Sequence, residues 1–527
     1  MPSAPAGAGR ASASGVPRGA AALEFTVDGR RIEVPDDGAS LMEVLRDRLG
    51  IRTVKDGCSP QGQCGCCTVW VDGKPRVSCV TPARRVKGRE ITTLAGLSAK
   101  TRTDWGAAFC AAGASQCGFC TPGIIMRLAG LDARSRPRST PAAALSAHLC
   151  RCTGWQTILE AWDDYGAPRP DRNWPAATRR AELEGGAPQA VGPDVALGEG
   201  GFADDTAPED ALVALSDGQE GWAVGETVAE ARAAAGKVQG RRTPSQPGMP
   251  LDFPEGDWEV RLRTSWVEPA YLETDASWCA PGGEPASPLA NGGAFGAKLT
   301  SPLPDIARRL ADEHGRPVRV LWSREDAVRH GPKRPPVAIG IDRDGRGAAR
   351  VVRTPGVSDA IASVAPDLEV EEMDIPGPPT STAIRGGGWV EAAVAMSAVG
   401  DGTSGIAAPG GGWAQAEWHQ GRLRIQVRCG AALDEIVLRS YCIGAAHMAY
   451  SWVTSEALTV TADGEVHDLT IRSFGVVPAS RMPPVEVQIE PSDDLPTNGS
   501  DAVFAAVAAA TWRRAGHRAD WPTGLLD

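Results

Sequence analysis

Eight of the thirteen cysteines fall into two runs whose spacing suits two separate metal clusters. Cys58, Cys64, Cys67 and Cys79 form the first, three closely spaced thiols and a distant fourth. Cys117 and Cys120, joined by Gly118-Phe119, form the second with Cys150 and Cys152 on either side of Arg151. Iron favours soft thiolates, and a two-iron cluster takes four of them. Two such quartets in series make a short wire for single electrons, so the chemistry implied is redox. The plainer reading of the same thiols is a zinc site or buried packing cysteines. Ten of the thirteen lie between Cys58 and Cys152, and thiols clustered in a large, non-secreted chain point to metal before disulfide. Cys66 is an additional thiol inside the first run, either a small buried residue or a substitute ligand.

Local signals outline the elements that must hold these thiols. Asp28-Gly29 and Asp72-Gly73 each join two strand-like runs, a strong hairpin signal. Ser40 with Glu43 reads as a capping box, and Gly50 as a helix stop. From Thr103 to Tyr165 the pattern turns helical. Thr121-Pro122 and Thr140-Pro141 read there as caps followed by a first-turn proline. Residues 166–197 carry Pro, Ala, Gly and charge without periodicity and read as a linker. Beyond it the pattern is mixed. Strands are expected over 211–215 and 221–224, around Asp217-Gly218, and again over 457–460 and 466–471, around Asp463-Gly464. Helices are expected over 304–314 and 501–514.

The 527 residues are enough for two to four domains with substantial cores. A net charge of −11 argues against nucleic acid or an anionic membrane as partner. The sequence contains no run of 18 apolar residues, so no membrane span is expected. The first 20 residues are Ala, Gly, Ser and Pro with a few Arg, which reads as a disordered leader and not as a signal peptide. The expected compartment is the cytoplasm.

Taken together, Gly57–Asp72, Ser115–Gly123 and Leu149–Gly154 resemble the cluster loops of the molybdenum hydroxylases: xanthine dehydrogenase, aldehyde oxidase and aerobic carbon monoxide dehydrogenase. The resemblance implies an α+β multidomain fold. A β-grasp, plant-type ferredoxin-like [2Fe-2S] domain would span residues 21–98 and a four-helix [2Fe-2S] bundle residues 99–165. After the linker, a shortened mixed α/β molybdopterin-binding region would span residues 198–527. It further implies that Gln116 touches the pterin. Phe202–Asp205 resembles the opening of the family's molybdenum domain. Asn291–Lys298, with Gly292, Gly293, Phe295 and Gly296, resembles its cofactor loop, where only bare backbone can approach so bulky a group. Ile384–Gly388 resembles a second loop, whose Arg385 would orient substrate. Met482–Glu486 and Asn498–Asp501 resemble the last blocks of the family, with Asp501 nearest the place of the carboxylate base. Glu268 and Glu273 are further carboxylate candidates.

The function implied is oxidation of a small molecule (a purine, an aldehyde or similar) at molybdopterin, with electrons leaving through the two [2Fe-2S] clusters. Residues 166–197 are too few for a flavin domain and carry no dinucleotide fingerprint. The expected acceptor is therefore a separate flavoprotein subunit or a soluble electron carrier. A second reading is a non-catalytic electron-transfer subunit with a degenerate molybdopterin domain.

Overall fold

The computed structural model describes residues 22–131, 139–168, 171–218, 221–236, 247–399 and 404–524. The segment read as a leader lies outside them. Strands Ala22–Val27 (β1) and Arg30–Pro35 (β2) pair antiparallel. Asp28 and Gly29 between them both have positive φ, the geometry that matches a two-residue turn to strand twist. With Thr68–Val71 (β3), Lys74–Val77 (β4) and Glu90–Thr92 (β5) they form one sheet, in the order β2-β1-β5-β3-β4. Ser40 caps a short helical segment, with Glu43 N donating to Ser40 Oγ at 3.1 Å; of the expected capping box only this bond forms.

Four helices follow: Ala99–Ala112, Thr121–Ala129, Ser139–Ala144 and Gln156–Asp163. The first is capped by Ser98 and closed by Gly113 at φ +66°. The cap of the second is Cys120, not Thr121.

Among the described residues, the remainder builds three further sheets, two of four strands and one of five. At its centre the helices Glu435–Thr454 and Ser500–Arg514 lie side by side, with Trp452 stacked on Phe504 at 5.3 Å. One continuous cluster of buried apolar side chains runs from Leu23 to Trp521, so both halves of the chain share a core.

Two expectations give way. The stretch read as a linker contains the helix Trp174–Gly185. Its polar residues Arg180 and Glu184 are fully buried as an i,i+4 ion pair, so a segment that looks solvated by composition is tied into the interior. The hairpin expected over 457–471 is reduced to a single bridge, Val460 to Val466. The backbone beyond it is engaged elsewhere, with Leu469 O and Ile471 N bonded to the side chain of Gln61 in the first cysteine loop.

Candidate functional site: two thiol quartets and an adjoining cavity

All eight paired cysteines are at most 8% exposed. In the first quartet Cys58 touches Cys64 and Cys79, and Cys79 touches Cys67. Backbone N–H groups of Gln61 and Cys79 donate to the sulfurs of Cys58 and Cys67 at 3.2 and 3.4 Å, an arrangement that stabilises thiolate. In the second quartet Cys117 and Cys152 lie 3.6 Å apart, sulfur to sulfur, and Cys120 touches Cys150. Contact with Cys120, then the hydroxyl and amide of Thr153, pull the Cys150 thiol down to about 6. Among the described residues no three His, Cys, Asp or Glu side chains converge on one ion position.

The quartets are wired together by backbone. Leu149 N, one residue before Cys150, donates to Cys64 O at 2.9 Å. Gly123, in the helix capped by Cys120, packs so closely on the Gly65–Cys66 peptide that an added Cβ would lie 2.4 Å from Gly65 O. The second quartet rests on the long central helix in the same manner: a Cβ on Gly444 would meet Cys152 O at 1.8 Å.

Gln116 is buried, and its amide donates to Cys152 O at 3.0 Å and Ser440 Oγ at 2.9 Å. It therefore clamps the second quartet to that helix. The loop Asn291–Lys298 reaches the same quartet from the other side, with Asn291 Nδ2 donating to Cys117 O at 2.9 Å. A Cβ on Gly293 would sit 2.8 Å from Cys117 Cβ, and one on Gly292 2.6 Å from Gln189 Oε1. Further along, Phe295 O accepts from Arg385 N at 3.2 Å, and a Cβ on Gly296 would overlap Ala383 O at 1.9 Å. These glycines let the loop lie flat against the cluster on one side and the Arg385 loop on the other.

Arg385 stands over the rings of Phe295 and Phe504 at 5.2 and 5.9 Å. It donates to Met448 Sδ at 3.3 Å and to Ser500 Oγ, and pairs with Asp501 at 3.2 Å. It lines a cavity of about 20 Å³ together with Val267, Glu268, Phe295, Trp452 and Phe504. Asp501 is not part of that wall. Glu268 is, ion-paired with Lys333 at 2.9 Å but with no aligned hydrogen bond to either oxygen. A second cavity, of about 10 Å³, lies between Cys117, Cys120 and Cys152 on one side and Gly292, Gly293, Glu273 and Lys298 on the other. Burial there pushes the Glu273 carboxyl up to about 7 despite its 2.6 Å bond to Lys298.

Arg151 touches both cavities. It is held by a bidentate bond to Glu456 at 2.5 and 2.8 Å and by Pro269 O. This pair was not legible in the sequence, since its partners lie 305 residues apart. Arg180–Glu184 was missed too, although its i,i+4 spacing and the Asn173 cap beside Pro175 were available signals.

Two polar atoms beside the glycine loop suit a pterin: Gln189 Nε2 and Glu273 Oε1 are buried there without hydrogen bonds. Room is the constraint. Cavities of this size hold about one water each.

Residues 93–163 match the family described as a [2Fe-2S] binding domain. The xanthine dehydrogenase iron-sulfur-binding subunit of Escherichia coli O157:H7 is 40% identical over 147 residues, 26% of this chain and 89% of that protein. The aldehyde oxidoreductase of Megalodesulfovibrio gigas is 41% identical over 138 residues, 25% of this chain and 15% of that protein. The solved aldehyde oxidoreductase from Desulfovibrio gigas shares the fold, with a TM-score of 0.64 at 14% identity over 93% of this chain and 97% of that one. The chain belongs to the molybdenum hydroxylases, iron–sulfur oxidoreductases whose cofactors are [2Fe-2S] clusters and molybdopterin.

Proposed function

We propose that the chain oxidises a small molecule, such as a purine or an aldehyde, at the cavity beside Arg385. Electrons then pass through the second quartet to the first and on to a separate flavoprotein or soluble carrier. One observation carries this reading. A continuous line of contacts runs from Arg385 through loop 291–298 to Cys117, and from Cys150 through Leu149 to Cys64. Beyond the first quartet, Val80 is 50% exposed next to Cys79 and offers an apolar landing for the acceptor. All thirteen cysteines are free, which supports a reducing compartment such as the cytoplasm. Among the described residues no helix is long and apolar enough to cross a membrane.

When bound, molybdopterin supplies the two-electron chemistry at carbon. Gln116, Gly292, Gly293, Phe295 and Gly296 would hold it. Arg385, fixed by Ser500 and Asp501, would orient the substrate. Glu268 and Glu456 both line the cavity; Glu456 is engaged by Arg151, so Glu268 would receive the proton, with Asp501 acting through Arg385. The domain boundaries proposed are 21–98, 99–165 and 198–527, with 166–197 as a helical connector.

Protein purified anaerobically should carry about four irons, as two clusters require, with one molybdenum and one pterin. Glu268→Gln should lower kcat by roughly 10²- to 10⁴-fold with metal content unchanged, the usual scale for losing a general base. Iron without molybdenum or pterin would instead support an electron-transfer subunit.

A further inference from the structure

We propose that Cys66 is a fifth sulfur ligand of the first cluster, held beside Cys64 and able to take its place. The inference rests on reading Cys58, Cys64, Cys67 and Cys79 as that cluster's ligands. Cys66 is 1% exposed. The point where Gly57 would carry a Cβ lies 3.1 Å from the sulfur of Cys64 and 3.1 Å from the sulfur of Cys66, with the Phe119 ring at 3.2 Å closing the space. Both sulfurs therefore border one space that a side chain larger than glycine's would fill. Cys64 touches Cys58 on one side and Cys66 on the other. The hydrogen bond made by the Cys66 thiol is weak, to Cys64 O at 3.9 Å.

The backbone around Cys66 is fixed on both flanks. Lys55 N donates to Cys66 O, Thr68 N donates to Gly65 O, and Gly123 presses on the peptide between them. A change of ligand thus needs a side-chain rotation and no backbone movement. One iron–sulfur bond, to Cys64, breaks and one, to Cys66, forms. The Cys66 proton passes to the released Cys64 thiolate, and no electron is gained or lost. The Cys66 sulfur thus lies against a ligand's sulfur and borders the same space.

The test uses the full chain purified anaerobically, with iron analysis and paramagnetic spectra after dithionite reduction. Unaltered protein should hold about four irons, and lack of a first-cluster signal there would overturn the quartet reading itself. Cys66→Ala should keep both signals. Cys64→Ala should also keep about four irons, with the first-cluster signal shifted, and the double variant C64A/C66A should keep about two. Cys58→Ala, the control, should lose the first cluster. Retention of the second signal alone in Cys64→Ala would overturn the proposal. Should that variant fail to accumulate, Cys64→Ser preserves volume. An all-thiolate spectrum then supports the exchange, and an oxygen-ligated or absent first cluster overturns it.

Discussion

Two histidines are sealed inside the molecule where they cannot hold a proton. His148 precedes Leu149-Cys150, shares a 3.2 Å bond with Thr68 Oγ1, and has no partner at Nδ1. His447, on the central helix, shares a 2.8 Å bond with Val477 O and is also bare at Nδ1. Burial lowers His148 from 6.5 to about 3, with Arg127 adding repulsion, and lowers His447 to about 4. A histidine depressed in the folded state is protonated first in the unfolded chain. Its stabilising contribution is therefore intact above 6.5 and falls away as pH drops towards the folded value. At pH 5 each costs about 2 kcal/mol of stability. Glu273, raised to about 7, gains stability over the same interval, so the histidine effect is read as a difference between variant and parent in urea unfolding at pH 7.5 and pH 5. His447→Gln, which can keep a bond to Val477 O, should lose about 2 kcal/mol less than the parent on going to pH 5. An unchanged slope in the variant would count against the burial account.

At the scale of elements, the clusters are held by glycine-to-backbone contacts, and these divide what the sequence discloses from what it hides. Gly444 shows the principle. In a helix interior Gly→Ala ordinarily stabilises by up to about 1 kcal/mol. Here the new methyl would sit 1.8 Å from Cys152 O, and overpacking of that kind costs about 1–3 kcal/mol. Gly444→Ala should therefore reverse the usual sign, lowering Tm and taking the second-cluster signal with it. A raised Tm with both signals intact would refute the contact. The cysteine spacing and the turns at Asp28-Gly29 and Asp72-Gly73 were legible because each is a local rule that the structure leaves in force. The helix 174–185 was not, because its buried face is polar: Arg180 donates to Ala431 O, Ala432 O and Thr497 O, and Glu184 accepts from Gly499 N and Ser500 N. Hydrophobic periodicity cannot report a face buried by hydrogen bonds. The segment 457–471 misled in the opposite direction. Its alternation is real, but its backbone is spent on the first cysteine loop and not on a partner strand. The candidate site divides the same way. The paired cysteines announce themselves, whereas Glu268 and the Arg151–Glu456 pair gain meaning only from residues distant in sequence.

Across the whole molecule, the two halves are joined by a buried charge network as well as by a shared core. Arg46 pairs with Asp204 and Asp205 at 2.7 and 3.0 Å, and Lys55, fully buried, pairs with Asp205 and donates to Gly198 O. From the other half Arg319 returns to Asp47 at 2.8 Å and to Asp204 at 2.9 Å. Burial opposes ionisation of Asp204, yet the guanidiniums of Arg319, Arg46 and Arg52 hold its carboxyl well below the usual range. Both acids belong to the short segment Phe202–Asp205, so four residues fasten the first cluster's domain to the rest of the chain. Removing one member of such a network leaves a buried charge without its partner, at a cost of about 3–5 kcal/mol. Asp205→Asn strands Lys55 in this way without altering any residue of the quartets or the cavity. Scanning calorimetry of the variant should separate an early transition of the first-cluster domain from the later melting of the remainder, where the parent protein melts as one. Because Gln61 and Gln63 bind residues 469–472 across the same junction, first-cluster absorbance should bleach with the early transition. A single transition at the parent's temperature would show that the apolar core alone couples the halves.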